Sequence, residues 1–125
     1  MIDIEALLIA WLEDNIEDVT ASTETPADLD ARLLWILVRR VTGPYDGFRI
    51  DRPSVDIGVF AATGPAAAAL AIQIQVLLHR DLKGQRYGDA VVSYIRTSTA
   101  PHSVPYDNPN MRRYEANNEF AVHPA

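Results

Sequence analysis

The side chains best suited to chemistry are few in this sequence, and they stand far apart. There is no cysteine, which excludes disulfide bonds, thiolate metal sites and cysteine nucleophiles. The spacing of the three histidines, His79, His102 and His123, matches no metal-binding pattern, and no carboxylate lies three or four residues from His79. No Gly-X-Ser-X-Gly sequence marks a nucleophile elbow. We therefore expect no metal site and no catalytic centre, and we predict that the chain is not an enzyme.

Three aspartates, Asp46, Asp51 and Asp56, recur at intervals of five residues. Neighbouring carboxylates can share a proton or hold a hard cation. Along an extended strand, however, an odd spacing places successive side chains on opposite faces. We therefore expect turn and solvent-facing roles for these residues. An ion pair between Asp56 and either Arg39 or Arg40 across the sheet is the alternative.

Phosphate-binding sequences are missing as well. Neither Gly-X-Gly-X-X-Gly nor Gly-X-X-X-X-Gly-Lys occurs, so no nucleotide cofactor is expected. The segment TGPAAAA, residues 63–69, opens a helix whose amides could hold an anion, but its pattern is typical of an ordinary helix start. The net charge of −6 disfavours nucleic-acid binding. The two arginine pairs, Arg39-Arg40 and Arg112-Arg113, are also too few to bind a row of phosphates.

The charge is divided unevenly along the chain. Residues 1–31 hold nine acidic residues and no lysine or arginine, whereas the remainder holds 8 acidic and 11 basic residues. Ten of the basic residues are arginines, which are common at protein interfaces. This polarity predicts either complementary ends that dock head-to-tail between copies, or a solvated acidic helix with scattered surface arginines.

The apolar pattern predicts one α+β domain over residues 1–125. We expect a mostly antiparallel sheet of about four to five strands with two helices packed on one face. No apolar run approaches the roughly 18 residues needed to span a bilayer, and the acidic N-terminal segment is expected to belong to the fold. The predicted elements are a helix at 3–17, strands at 19–23, 33–41 and 48–62 (interrupted at Pro53), a helix from 63 to about 83, strands at 90–97 and 111–122, and loops at 23–32 and 100–110.

The second predicted helix carries apolar residues on two sides. Ala67, Leu70, Ala71 and Ile74 fall on one face, and Leu77 and Leu78 extend it, which predicts the side that packs on the sheet. Ile72 and Val76 project from the opposite side. A helix that only covers a sheet does not need a second apolar stripe, so these two residues are predicted to lie at a protein contact.

Longer stretches of the sequence resemble a known family. The succession RLLWILVRRVTG, then DRPSVDIGVFAATGPAAAALA, then a strand, a proline-rich loop and MRRYEANNEFAV is similar to the tail terminator proteins of long non-contractile-tailed bacteriophages, and closest in style to those of phages infecting actinobacteria. One departure is Thr42-Gly43, where the family usually has Gly-Gly. The resemblance covers most of the chain.

The resemblance implies a virion protein at the tail–neck junction, assembled in the host cytoplasm. It would form a homo-oligomeric ring, expected to be a hexamer, that caps the tail tube protein, stops tube growth and meets the head-completion protein of the neck. DNA would pass through the lumen as cargo, and no membrane or cofactor is implied. The residues expected at protein interfaces are Arg39, Arg40, Arg52, Ile72, Val76, Tyr106, Arg112 and Arg113.

Other interpretations of the sequence remain open. A neighbouring neck or head-completion protein would share the architecture and the oligomeric state. A small ligand-binding or enzymatic α+β domain would need convergent polar groups in an apolar cleft, and the sequence offers no obvious set. An adaptor or immunity-like protein that binds one partner as a monomer would also fit the uneven charge.

Overall fold

The structure is a computed structural model that describes residues 2–32, 34–45, 47 and 49–125. Over these residues the chain forms two α-helices and six β-strands, with short helical turns at Leu29–Ala31 and Leu78–Leu82. In chain order the elements are α1 (Ile4–Asn15), β1 (Thr20–Ser22), β2 (Trp35–Thr42), β3 (Ser54–Ala61), α2 (Gly64–Leu77), β4 (Gln85–Tyr87), β5 (Ala90–Val104) and β6 (Arg112–Pro124).

The strands form one sheet in the order β1-β2-β3-β6-β5-β4. Every neighbouring pair is antiparallel except β1 and β2, which run parallel. The main hydrophobic core joins both helices to one face of this sheet, so the helices form a single layer. The predicted α+β class is therefore confirmed, whereas the sheet has six described strands rather than four to five. We call the sheet face turned away from the helices the open face.

The first helix forms as the sequence predicts. Asp3 caps it, because its carboxylate accepts a hydrogen bond of 3.1 Å from the backbone N–H of Ala6. Its apolar stripe is buried against the sheet and consists of Ile4, Leu7, Leu8, Trp11 and Leu12. The helix stops after Asn15, in the acidic region where further carboxylates oppose the helix dipole.

The second helix is capped by Thr63, whose hydroxyl accepts a hydrogen bond of 3.2 Å from the N–H of Ala66. After Leu77 the chain makes a π-helical turn and reaches Gly84, which adopts a left-handed φ of 79°. The helical region therefore ends where the sequence predicts, although its last turn is wider than an α-helix. No charged residue occurs between Gly64 and Leu77.

One predicted boundary is wrong, and one short strand was not predicted. Strand β5 continues to Val104, so residues 100–104 belong to a hairpin with β6 and not to a loop. Pro101 is tolerated there because the pairing is irregular between Thr99 and His102, where a missing backbone donor breaks no ladder bond. Strand β3 begins at Ser54, directly after the interruption predicted at Pro53, and Asp51 before it makes isolated bridges with Tyr45 and Val122. The short strand β4 was not predicted, since three residues carry too little pattern.

Some predicted features fall on positions outside the described residues. Leu33 and Phe48, at which two strands were predicted to begin, are among them, as is Asp46. None of the helices in the described part of the chain has the length and apolar content that crossing a bilayer requires.

Carboxylates of α1 cover the sheet edge formed by β1 and β2. Glu13 accepts a hydrogen bond of 3.2 Å from the N–H of Ala21, and Glu5 accepts one of 3.0 Å from the N–H of Arg40. A covered edge amide cannot pair with a strand from another molecule. Part of the acidity of the N-terminal region therefore serves the fold of this chain itself.

At the other side of the sheet, β5 is the outermost strand for most of its length, because β4 pairs only with residues 90–92. Its pairing with β6 shifts register at three places between Val92 and His102. Register shifts and an edge proline both hinder the addition of another strand. Neither edge of the sheet thus offers a long regular ladder.

Candidate protein-interaction surfaces

The residues that the sequence predicts at interfaces do not form one site. Ile72 and Val76 lie on the helix layer, at 56% and 51% exposure. Arg39, Tyr106 and Arg113 lie on the open face, on the opposite side of the molecule. Arg40, Arg52 and Arg112 have contacts within the chain, and their assignment to an interface stays a prediction.

Arg40 belongs to a buried ion pair. Its guanidinium binds both carboxylate oxygens of Asp51, at 2.5 and 2.7 Å, and also donates to the carbonyl oxygen of Gly43 at 2.9 Å. The Asp51 side chain is only 1% exposed. The expectation of a solvent-facing role for Asp51 was therefore wrong, because Arg40 supplies the opposite charge that makes burial of a carboxylate tolerable.

The backbone fixes Asp51 in place. Its N–H and C=O exchange hydrogen bonds of 2.9 and 2.8 Å with Val122 of β6. Gly43, which closes the other side of the ion pair, has a φ of 125°, and a Cβ at this position would lie 2.1 Å from the carbonyl oxygen of Arg52. Only glycine fits there, so the turn after β2 and the ion pair form one rigid corner.

Asp56 is partly exposed on the face of the sheet turned away from the helices, which agrees with the expected solvent-facing role. It stands opposite Arg39 in the β2–β3 ladder, on the open face. Its carboxylate accepts a hydrogen bond of 2.8 Å from the side-chain amide of Asn117. Asp51 and Asp56 thus have separate partners, and no group of three or more His, Asp or Glu side chains in the described ranges is placed to hold a metal ion.

Arg112 and Arg52 lie near the ends of strands of the sheet, and Arg112 stands opposite Ala61 in the β3–β6 ladder. Arg112 donates to the carbonyl oxygens of Pro109 and Met111, at 3.1 and 3.0 Å, which fastens the end of the β5–β6 loop. Arg52 is exposed, and its backbone N–H donates to the carbonyl oxygen of Pro44. Both arginines have structural contacts that leave part of each side chain accessible.

Loops cover part of the open face. Leu29 and Met111 bury Trp35, Leu37 and Phe60 in a second, smaller hydrophobic cluster. Tyr106 extends this cover, because its ring packs edge-on against Phe60 with 5.2 Å between ring centroids. Next to these loops the surface of the sheet is uncovered and forms a cleft.

We call this depression the Gly58 cleft. It has a volume of about 150 Å³ and is lined by Leu37, Arg39, Val41, Asp56, Gly58, Arg113 and Glu115. Gly58 forms part of the floor, in the middle of a buried strand. Leu37 and Val41 provide apolar surface, and Val41 is 52% exposed. The two arginines and two carboxylates balance, so the lining is neutral in sum.

Gly58 is not demanded by the fold. A Cβ there would lie 3.7 Å from Leu37 Cβ and 3.7 Å from Arg113 Nε, which is ordinary van der Waals contact. Glycine weakens a strand interior and often marks a place where another molecule approaches closely. The sequence does contain this signal, a glycine between the β-branched residues Ile57 and Val59.

Arg113 has unused hydrogen-bonding capacity beside this floor. Its guanidinium lies 5.3 Å from the centroid of the Phe60 ring and 3.5 Å from a carboxylate oxygen of Glu115. Its Nε is buried, and nothing in the described part of the chain accepts a hydrogen bond from it. A buried donor without an acceptor costs free energy, and the fold itself bears that cost here, because the Nε atom is already buried within the single chain.

The helix layer carries an exposed apolar stripe on α2. Pro65, Ala69, Ile72 and Val76 follow one another at spacings of four, three and four residues, and all are exposed. This spacing places them in one line that points away from the sheet. We call this line the α2 ridge. Since α2 has no charged residue, the ridge is uncharged throughout.

His79 takes part in a polar network beneath α2. Its Nε2 lies 2.7 Å from the hydroxyl of Thr97, which in turn lies 2.8 Å from Gln75 Oε1 and 2.9 Å from Asn118 Oδ1. A hydroxyl has one proton, so Thr97 can donate to only one of these oxygens at a time. The network ties the π-helical turn to β5 and β6, which makes His79 a structural residue.

Burial lowers the pKa of His79, and the charge of Lys83 lowers it further. The unfolded chain therefore takes up a proton at about pH 6.5, before the folded chain does, and acidification through that range favours unfolding. We expect the urea midpoint to fall between pH 7.5 and 5.5 by more in the wild type than in a His79→Gln variant. Between pH 8.5 and 7.5 the two should change alike, and an equal fall down to pH 5.5 would contradict the assignment.

Comparisons with known proteins identify no family for this chain. A scan against protein-family models gives no match, and a search of curated proteins gives no significant relative.

Proposed function

We propose that the chain is a ring-forming structural protein of a bacteriophage tail, acting as the tail terminator. In this function the ring caps the tail tube, stops its polymerisation and offers its other side to the head-completion protein. The proposal starts from the sequence resemblance, and the order of the elements supports it. That order is a capped helix, a strand that carries Arg39 and Arg40, the DRPSVD segment, an alanine-rich helix and a final long hairpin.

The observation that carries the proposal is the α2 ridge. A surface helix of a monomer normally places charged or polar residues on the side away from the core. Here the ridge ends in Ile72 and Val76, both more than half exposed, without a charged residue within α2. Such a surface suits burial against another protein, as in a ring whose subunits associate permanently.

The test is assembly with and without tube protein. The purified chain should form rings that are visible by negative-stain microscopy, and it should halt the growth of polymerising tail tube protein when added at substoichiometric amounts. Tube length distributions with increasing amounts of the chain give the readout. A chain that leaves tube length unchanged and instead binds the head-completion protein would be a neck protein. A monomer with neither effect would overturn the proposal.

A further inference from the structure

The segment 23–32, which connects β1 to β2, lies over the open face without joining the sheet. In the described part of the chain its backbone hydrogen bonds stay within the segment. The N–H groups of Ala31 and Arg32 donate to the carbonyl oxygens of Asp28 and Leu29, at 3.0 and 2.9 Å. The ladder that joins β1 to β2 ends before this segment begins. The segment can therefore lift from the sheet without breaking a ladder bond.

One apolar side chain anchors the segment. Leu29 is 3% exposed and belongs to the second hydrophobic cluster, with Trp35. Among the residues of 23–32 whose exposure the structure describes, Leu29 is the only buried one. The ion pair of Asp28 and Arg32 is more than half exposed and lies within the segment, so it does not hold the segment on the sheet.

A single hydroxyl connects the start of the segment to Trp35. The indole Nε1–H of Trp35 donates a hydrogen bond of 3.0 Å to Ser22 Oγ, and the Ser22 hydroxyl donates to the carbonyl oxygen of Glu24. Trp35 itself is only 6% exposed. Lifting the segment removes Leu29 from the cluster and gives water access to the indole. The indole proton of Trp35 is therefore a reporter of the segment's position.

The main hydrophobic core does not depend on this segment, because no residue of 23–32 belongs to it. Regions with few buried apolar side chains and no ladder bonds open at a lower free energy than the core. We infer that residues 23–32 form a lid, which opens as a unit while the sheet and both helices stay folded. The open lid uncovers apolar surface of Trp35 and Leu37 that the closed lid shields from water. The inference is independent of the function proposed above.

Hydrogen exchange followed by NMR at increasing, sub-denaturing urea concentrations tests the lid in the wild-type chain. Opening of the lid exposes little surface, so the exchange rate of the Trp35 indole proton should be nearly independent of urea. The slowest backbone amides of β3 exchange by global unfolding, and their rates should rise steeply with urea. An indole rate that rises as steeply as those of β3 would overturn the inference.

A substitution of the anchor should open the lid more often. Leu29→Ala should raise the exchange rate of the Trp35 indole proton by about 30-fold, as for truncation of a buried leucine at the low end of its usual cost. Thr25→Ala, at an exposed position of the same segment, is the control and should leave the rate unchanged. No increase in Leu29→Ala, or an equal increase in Thr25→Ala, contradicts the assignment of Leu29 as the anchor and with it the lid.

A conservative substitution in the main core provides the opposite case. Ile95 is 1% exposed and lies on β5, in the main cluster. Ile95→Val destabilises the chain with the lid closed and with the lid open alike, relative to the unfolded chain. The slowest β3 amides should then exchange about 5-fold faster, while the indole rate of Trp35 stays at its wild-type value. Equal acceleration of both would show that the segment opens only when the whole chain unfolds, and the lid would be refuted.

Discussion

Changing Asp51 to Asn should lower the free energy of unfolding by about 3 kcal/mol, near the lower end of the cost of breaking a buried ion pair. The substitution leaves the guanidinium of Arg40 without its opposite charge at a site where Asp51 is 1% exposed. The lower end applies because Arg40 itself is 22% exposed, so water screens part of the lost interaction. Urea denaturation of the purified variant measures the change.

A surface ion pair provides the matched control. The Nε of Arg32 lies 3.0 Å from a carboxylate oxygen of Asp28, but both side chains are more than half exposed. Asp28→Asn should therefore leave the urea midpoint unchanged within error. A double-mutant cycle of Asp51→Asn with Arg40→Met would then isolate the pair, and purely additive effects would show that the two residues do not interact as described.

The largest expected effect on assembly comes from Ile72→Glu combined with Val76→Glu. Two carboxylates on the α2 ridge would have to be desolvated in the proposed ring, which should weaken association by about 1000-fold or more. Because both residues are exposed in the single chain, the monomer should remain folded. Sedimentation velocity across a range of concentrations gives the association constant.

Tyr94→Glu is the control for this variant. Tyr94 is 47% exposed and lies on β5, with the ammonium of Lys83 5.1 Å from its ring centroid. It lies outside the α2 ridge, so its replacement by an acidic residue should leave assembly intact. Equal loss of assembly in both variants would indicate a general charge effect and not a ridge contact.

Local chemistry made the helices predictable from the sequence. Asp3 and Thr63 act as caps in the structure, and each helix buries the apolar stripe that its spacing indicates. These features depend on residues within one or two turns of each other. The exposure of Ile72 and Val76 also followed from the helical period alone. Their function at a contact stays a prediction.

Features that depend on residues far apart in the sequence were harder to predict. Strand β5 continues to Val104 because it pairs with β6. The local sequence of 100–104 does not predict a strand, since it contains Pro101. The partner of Asp51 is decided by the turn at Gly43, which brings Arg40 back towards it. The Gly58 cleft combines residues of β2, β3 and β6, so only the sheet order makes it a site.

Both edges of the sheet are blocked, and this limits how copies of the chain can associate. Glu5 and Glu13 occupy amides along one edge, and the shifted pairing around Pro101 disrupts the other. Sheet extension is open-ended, because each added strand exposes a fresh edge, whereas contacts through faces can return to their starting point after a fixed number of copies. The fold thus resists unlimited stacking by its strands and leaves its faces as the surfaces through which a finite, countable assembly can form.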